Sequence, residues 1–156
     1  MRAPAPDRFL CDEMLRGLAR WLRAAGYDTV TAPPGTSDRR LLAKARAEGR
    51  RLLSRDRKLL EHRDALRWVH LLQGEGVDAW ARELRTGLGL DWQRAPFSRC
   101  LLCNTPIAPP PAGVRPPADL PAGAGKLRHC PRCRKWYWEG GHVARMRRKL
   151  RAWQRG

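Results

Sequence analysis

The chain has 156 residues and carries 32 Lys and Arg against 15 Asp and Glu, a formal net charge of +17. No stretch approaches the ~20 consecutive apolar residues that span a bilayer, and the polar opening MRAPAPDR does not read as a secretory leader. The expectation is a cytoplasmic protein that is no membrane protein, and a charge surplus of this size points to a polyanionic partner, nucleic acid before a lipid surface.

The charge is uneven. Residues 1–95 hold 19 basic and 13 acidic groups, a net of +6, whereas residues 96–156 hold 13 basic and 2 acidic groups, a net of +11. Two regions are therefore expected: an enzyme-like domain over 1–95 and a small basic module over 96–156.

RFLC (8–11) is a short apolar run that reads as a buried strand ending at Asp12. Glu13 to Ala25 then show helical spacing, with Met14, Leu15, Leu18, Trp21, Leu22 and Ala25 on one face and Gly26 placed to cap the end. YDTVTA reads as a second strand and PPGTS as a loop. Ser37 is placed to N-cap a helix through Glu48 that Gly49 closes. RLLS (51–54) reads as a third strand, followed by a short helix from Arg57. WVHLL (68–72) reads as a fourth strand, and Val77 to Thr86 as a further helix. This alternation predicts an α/β fold, a parallel sheet with helices on both faces. In such sheets ligands bind beyond the carboxyl ends of the strands.

From Ala95 the texture changes. Pro106 to Gly125 is rich in Pro, Gly and Ala and reads as a long loop between CLLC and CPRC. RKWYWE (134–139) reads as a ribbon strand and Val143 to Trp153 as a basic helix. Each CxxC turn can present two thiolates to one tetrahedral ion, so Cys100, Cys103, Cys130 and Cys133 are expected to hold a structural zinc. Binding on the order of 10 kcal/mol would help fold a module with little core of its own. His129 and His142 are not needed as ligands, and Cys11 reads as a small core residue.

Asp12 and Asp56 each follow a strand, and Asp38 opens the helix between them. Three carboxylates ~5 Å apart would repel by roughly 3 kcal/mol per pair at an effective dielectric near 20. A divalent cation would relieve that repulsion, and oxygen-only ligands suit Mg²⁺ or Mn²⁺. An Asp after a strand equally serves as an N-cap, so spacing alone leaves both roles open. Asp78 is the nearest fourth acid in chain order, with a capping role as its alternative. Asp28 reads as serving its turn, and Glu13 as pointing away from Asp12 on the helix.

Arg16 and Arg20, and Arg55 and Arg57 beside Asp56, would form a basic rim that gathers a phosphate backbone. Arg134 and Lys135 interleave with Trp136, Tyr137 and Trp138, a pattern suited to stacking unpaired bases, Tyr137 above all. Arg145, Arg147, Arg148, Lys149 and Arg151 on the last helix are further phosphate contacts.

Taken in order, FLCDEMLRGLARWLRAAGYDT, SDRRLLAKARAEGRRLLSRDRKLL and CLLCN…CPRCRKWYW resemble the Mut-7 C-terminal RNase family, over about residues 8–148. The resemblance implies a PIN-like nuclease domain followed by a zinc ribbon, and metal-dependent cleavage of RNA with Asp12, Asp38 and Asp56 as the catalytic acids. The alternative is a non-catalytic protein that binds RNA or a ribonucleoprotein on the same scaffold. A DNA-directed nuclease or toxin is a third reading, because basic charge alone does not separate RNA from DNA. There is no Gly-rich phosphate loop, so nucleotide hydrolysis is not expected, and no Ser–His–Asp or Cys–His set stands out; no small-molecule cofactor is expected.

Overall fold

Strands β1 (Arg8–Cys11), β2 (Asp28–Thr31), β3 (Arg51–Ser54) and β4 (Val69–Leu71) form one parallel sheet in the order β2-β1-β3-β4. The computed structural model describes residues 6–121 and 123–156; the first five residues of the polar opening, and Ala122 inside the Pro- and Gly-rich loop, lie outside them. The order places β1 in the interior, with its successor on one side and β3 on the other. The chain direction switches there, so the crevice beyond the carboxyl ends of β1 and β3 is where this architecture builds sites.

Strand alternation separates two apolar layers. Phe9, Cys11 and Leu53 face one side, against Leu18 and Leu22 of α1 (Arg16–Ala24) and Ala81 and Leu84 of α4 (Val77–Leu88). Leu10 and Leu52 face the other, against Leu41, Leu42 and Ala45 of α2 (Asp38–Glu48) and Ala65 of the single turn α3 (Ala65–Trp68). Both faces are covered, as the unbroken apolar character of the strands requires.

Most element ends follow the expected chemistry. Ser37 Oγ accepts the Arg40 amide, and Gly49 closes α2 at φ 63, where a side chain would be strained. Three details differ. Glu13–Leu15 form a 3-10 turn before α1 begins, which breaks the helical phase assumed from Glu13. Trp68 ends α3, so β4 starts one residue later than the apolar run suggested. Only Trp136–Tyr137 of RKWYWE pair as a strand, because Arg134 still belongs to the cysteine turn and Gly140 N–H turns back to the Trp138 carbonyl.

The basic module is built from β5 (Arg128–His129) and β6 (Trp136–Tyr137), paired antiparallel, with Ala108 bridging to His129 and Arg99 to Pro106. Helix α5 (Gly141–Arg155) then returns to the first half of the chain. Met146 and Leu150 are buried in the same cluster as Leu18, Leu22 and Leu84. Trp153 packs edge-on against Trp21 at 4.8 Å and tilted against Trp92 at 4.9 Å. One apolar core therefore runs from the sheet to the last helix. Among the described residues, no helix is long and apolar enough to cross a membrane.

Candidate functional site

The carboxyl ends of β1 and β3 open into a cavity of about 170 Å³. Its lining includes Asp12, which follows β1, Asp38 at the first turn of α2, and Asp56, two residues beyond β3. Buried Ser54 links two of them: its hydroxyl donates to Asp12 Oδ2 and accepts the Asp56 amide at 3.0 Å. Asp12 Oδ1 also accepts the Met14 amide at 3.1 Å, and Asp56 Oδ1 the Lys58 amide at 2.9 Å. Both residues therefore cap the short turns that follow them. Asp38 Oδ2 lies 3.8 Å from His62 Nε2, a neighbour with no signal in the sequence.

Three strand and helix ends thus bring three acids to one cavity. The four cysteines gather their ligand atoms within 4.8 Å of one another. A fourth acid does line the cavity, and it is Glu13, not Asp78. The 3-10 turn swings Glu13 towards the loop before α2, where Oε1 accepts the Gly35 amide at 3.4 Å. Asp78 lies elsewhere. It makes no cap to its helix; instead Oδ1 accepts Trp153 Nε1–H at 2.8 Å and sits 3.4 Å from Lys149 Nζ, joining α4 to α5.

Ala32 and Pro33, on one wall of the acidic cavity, also line a larger cleft of about 800 Å³. Arg16, Arg20 and Arg132 supply its charge, and exposed Leu102 supplies apolar surface. Arg23, also on its wall, is a structural group. Its guanidinium donates to the carbonyls of Thr29, Leu101 and Leu102 and so ties α1 to the first cysteine turn.

The cysteines themselves fit a zinc ion. Cys100 Sγ lies 3.3 Å from Cys133 Sγ, and Cys103 Sγ 3.4 Å from Cys130 Sγ. Tetrahedral thiolates at ~2.3 Å from zinc sit about 3.8 Å apart, so this arrangement needs only a small adjustment. Against its burial, hydrogen bonds involving Thr105 and the neighbouring thiols pull the Cys103 thiol down, while burial and the neighbouring thiols push Cys133 up. Four sulfurs leave no open position, which marks a structural metal site.

Residues 7–150, nearly the whole chain, match the family described as Mut7-C RNAse domain. The chain belongs to the Mut7-C RNAse domain family. No curated protein and no solved structure matches it. Membership in the Mut7-C RNAse domain family carries an RNA-related, nuclease-type role as its coarse meaning.

The remaining basic candidates divide by what they touch in this Mut7-C RNAse domain. Arg57, Arg134, Arg145, Arg148 and Arg151 are exposed and make no ion pair among the described residues. Arg55 stacks over Trp80 at 5.7 Å. Arg147 is engaged by Glu139, with Nε donating to Oε2 at 3.1 Å, and lies over Phe97. Lys149 lies over Trp21 and Trp153, beside Asp78. Lys135 is exposed above the Tyr137 ring.

Tyr137 departs from the base-stacking expectation. It is only 8% exposed, and its hydroxyl accepts the Leu101 amide at 3.0 Å and lies 3.1 Å from Cys100 Sγ. Its place on β6 turns it inward to buttress the metal site, while Trp136 and Trp138 stay half-exposed. Asp28 departs as well. It accepts from Arg50 at 2.8 Å, Asn104 at 2.7 Å and Arg8 at 3.3 Å, a hub that reaches well beyond its turn.

Proposed function

We propose that the chain is a divalent-metal-dependent ribonuclease in which residues 1–95 carry the chemistry and the ribbon of residues 96–156 helps to grip RNA. The observation behind this reading is the shared wall at Ala32 and Pro33: a cavity bearing Asp12, Asp38, Asp56 and Glu13 lies next to a cleft bearing Arg16, Arg20 and Arg132. A basic cleft gathers a phosphodiester backbone, and an adjacent acidic centre resists it until a cation is present.

The donor set suits a hard cation. Its carboxylates offer oxygens only, and Asp56 keeps one carboxylate oxygen without a protein partner among the described residues. Asp12, Asp38 and Asp56 would hold Mg²⁺ or Mn²⁺, which would activate water and offset charge on the leaving oxygen. The chain's own part is orientation. Ser54 fixes Asp12 relative to Asp56, the capping bonds hold both carboxylates at the strand ends, and the arginines seat the phosphates.

The test is cleavage of labelled single-stranded, hairpin and transfer-like RNAs with Mn²⁺, comparing wild type with Asp56→Asn. Cleavage lost on both EDTA treatment and the substitution supports the reading. RNA left intact by wild type under all conditions rejects it.

One observation favours a second reading, a non-catalytic RNA- or ribonucleoprotein-binding protein. Asp12 and Asp56 both accept the backbone N–H groups of the turns that follow them, a structural role that needs no metal. That reading expects salt-sensitive binding that Asp56→Asn leaves unchanged.

A further inference from the structure

A second opening, of about 220 Å³, lies beside the basic cleft, and Arg20 and Leu101 line both. The ribbon builds most of its wall. Trp136 and Trp138 line it, with Lys135, Arg20 and His142 as its polar groups. The Trp136 indole is held against His129, ring centroids 4.7 Å apart. Gly140 leaves room for the second indole: a Cβ there would lie 2.8 Å from Trp138 Nε1 and 3.2 Å from Cδ1. Its φ of −96° does not itself require glycine, so the need is for space. The indole N–H groups of Trp136 and Trp138 have no hydrogen-bond acceptor among the described residues and are left for a ligand. Arg20 lies 3.1 Å from His142 Nε2, which places a guanidinium at the junction of the two openings.

We infer that this cavity takes the base of one unpaired nucleotide from the strand lying in the cleft. It is smaller than the ~300–1,000 Å³ of sites for drug-sized ligands, which suits a single ring system. Indole walls stack any base without reading its sequence. Arg20 and Lys135 complement the phosphates that flank such a base, and a chain of net charge +17 favours a polyanion over an apolar peptide. A duplex would have to unstack and unpair a base to fill the cavity, at a cost of a few kcal/mol. The pocket therefore selects single-stranded or bulged RNA and sets the position of the strand relative to the acidic cavity. The inference rests on the RNA-directed part of the proposed function, and does not require that the RNA be cut.

The test is fluorescence anisotropy of the full chain, without added Mg²⁺ or Mn²⁺, against a short end-labelled RNA and the same strand made of abasic residues. Wild type should bind the intact strand on the order of tenfold more tightly. Trp138→Ala should remove most of that difference while retaining stoichiometric zinc. Should Trp138→Ala fail to fold, Gly140→Val, which crowds the indole, serves in its place and should act in the same direction. Equal binding of both strands by wild type overturns the inference, as does a base preference that survives the substitution. Binding that depends on bases without any cleavage would remove the nuclease reading and leave this one standing. Cleavage without base dependence would do the reverse.

Discussion

Asn104, the residue after Cys103, donates its side-chain amide to Asp28 Oδ1 at 2.7 Å and accepts the Thr29 backbone N–H at 2.9 Å. The first cysteine turn thereby satisfies part of the outer edge of β2, the edge strand of the sheet. Asn104 can do this because it occupies the left-handed region, at φ 72, which Asn tolerates better than most residues. Asn104→Ala leaves a half-buried amide and a carboxylate short of partners, so a loss of about 1–3 kcal/mol is expected in urea unfolding. An unchanged midpoint would mean that the edge is held by Arg23 alone.

The same hub sets a pH response. Burial pushes the Asp28 carboxyl up, but hydrogen bonds from Arg50 and Asn104, with the charges of Arg50 and Arg99, more than offset it and bring it to about 2. A pKa depressed in the folded state gives stability that is present above the ordinary carboxylate value near 3.8 and lost as pH falls towards about 2. Wild type should lose stability across that window, and Asp28→Asn should be less stable at neutral pH with a flatter acid limb. Thermal melts across the window decide it; parallel limbs in the two proteins would assign the acid response to other carboxylates.

Zinc should be present at one ion per chain and released by four thiol titrations. The cysteine cluster touches the main core through Cys100, Cys130 and Tyr137. Chelation or Cys130→Ser should therefore lower the melting temperature of the whole chain and not only release the ribbon. A calorimetric trace in which the main transition stays fixed on zinc removal would contradict this.

How much of this was legible in the sequence varies with the physics. Short apolar runs placed the four strands and 3.6-residue spacing the long helices, because burial on both faces of a sheet leaves a plain apolar signature. The cysteines were legible because two ligands per tight turn is a local constraint. Glu13 was not, since a single 3-10 turn rotates it out of the helical phase that the apolar spacing suggested. Tyr137 misled for a similar reason: alternation on a strand says that neighbours face opposite sides, but not which side is the core. Asp28, Arg50 and Asn104 form their hub across three distant segments, and no local pattern announces it.

The two placements of the fourth acid lead to opposite expectations. If the proposed nuclease reading holds, Glu13→Gln should lower the cleavage rate or weaken Mn²⁺ dependence by roughly 10–100-fold. Asp78→Asn should leave cleavage unchanged and cost less than about 1 kcal/mol in stability, since its ion pair with Lys149 is largely exposed. Kinetics and melts on the two variants separate them; a catalytic loss confined to Asp78→Asn would return that residue to the site.

Ser54 offers a finer test of the same cavity. Ser54→Ala removes the hydroxyl that joins Asp12 to the Asp56 amide but leaves all acids in place. The apparent Mn²⁺ affinity should weaken by roughly 10–100-fold, with RNA binding in the absence of metal unaltered. Equal metal titrations for the two proteins would show that the carboxylates are positioned by their capping bonds alone.

The return of α5 onto α1 also governs the order in which the protein can acquire its structure. Helix α5 is made after the other described elements, yet Trp153 packs on Trp21 and Leu150 shares the buried core with Leu18 and Leu22 near the beginning. During synthesis the nascent sheet must wait with that apolar surface uncovered, a state prone to aggregation and suited to chaperone contact. The long loop between the cysteine pairs, rich in Pro, Gly and Ala, lets helix α5 pack back late without pulling the finished sheet apart.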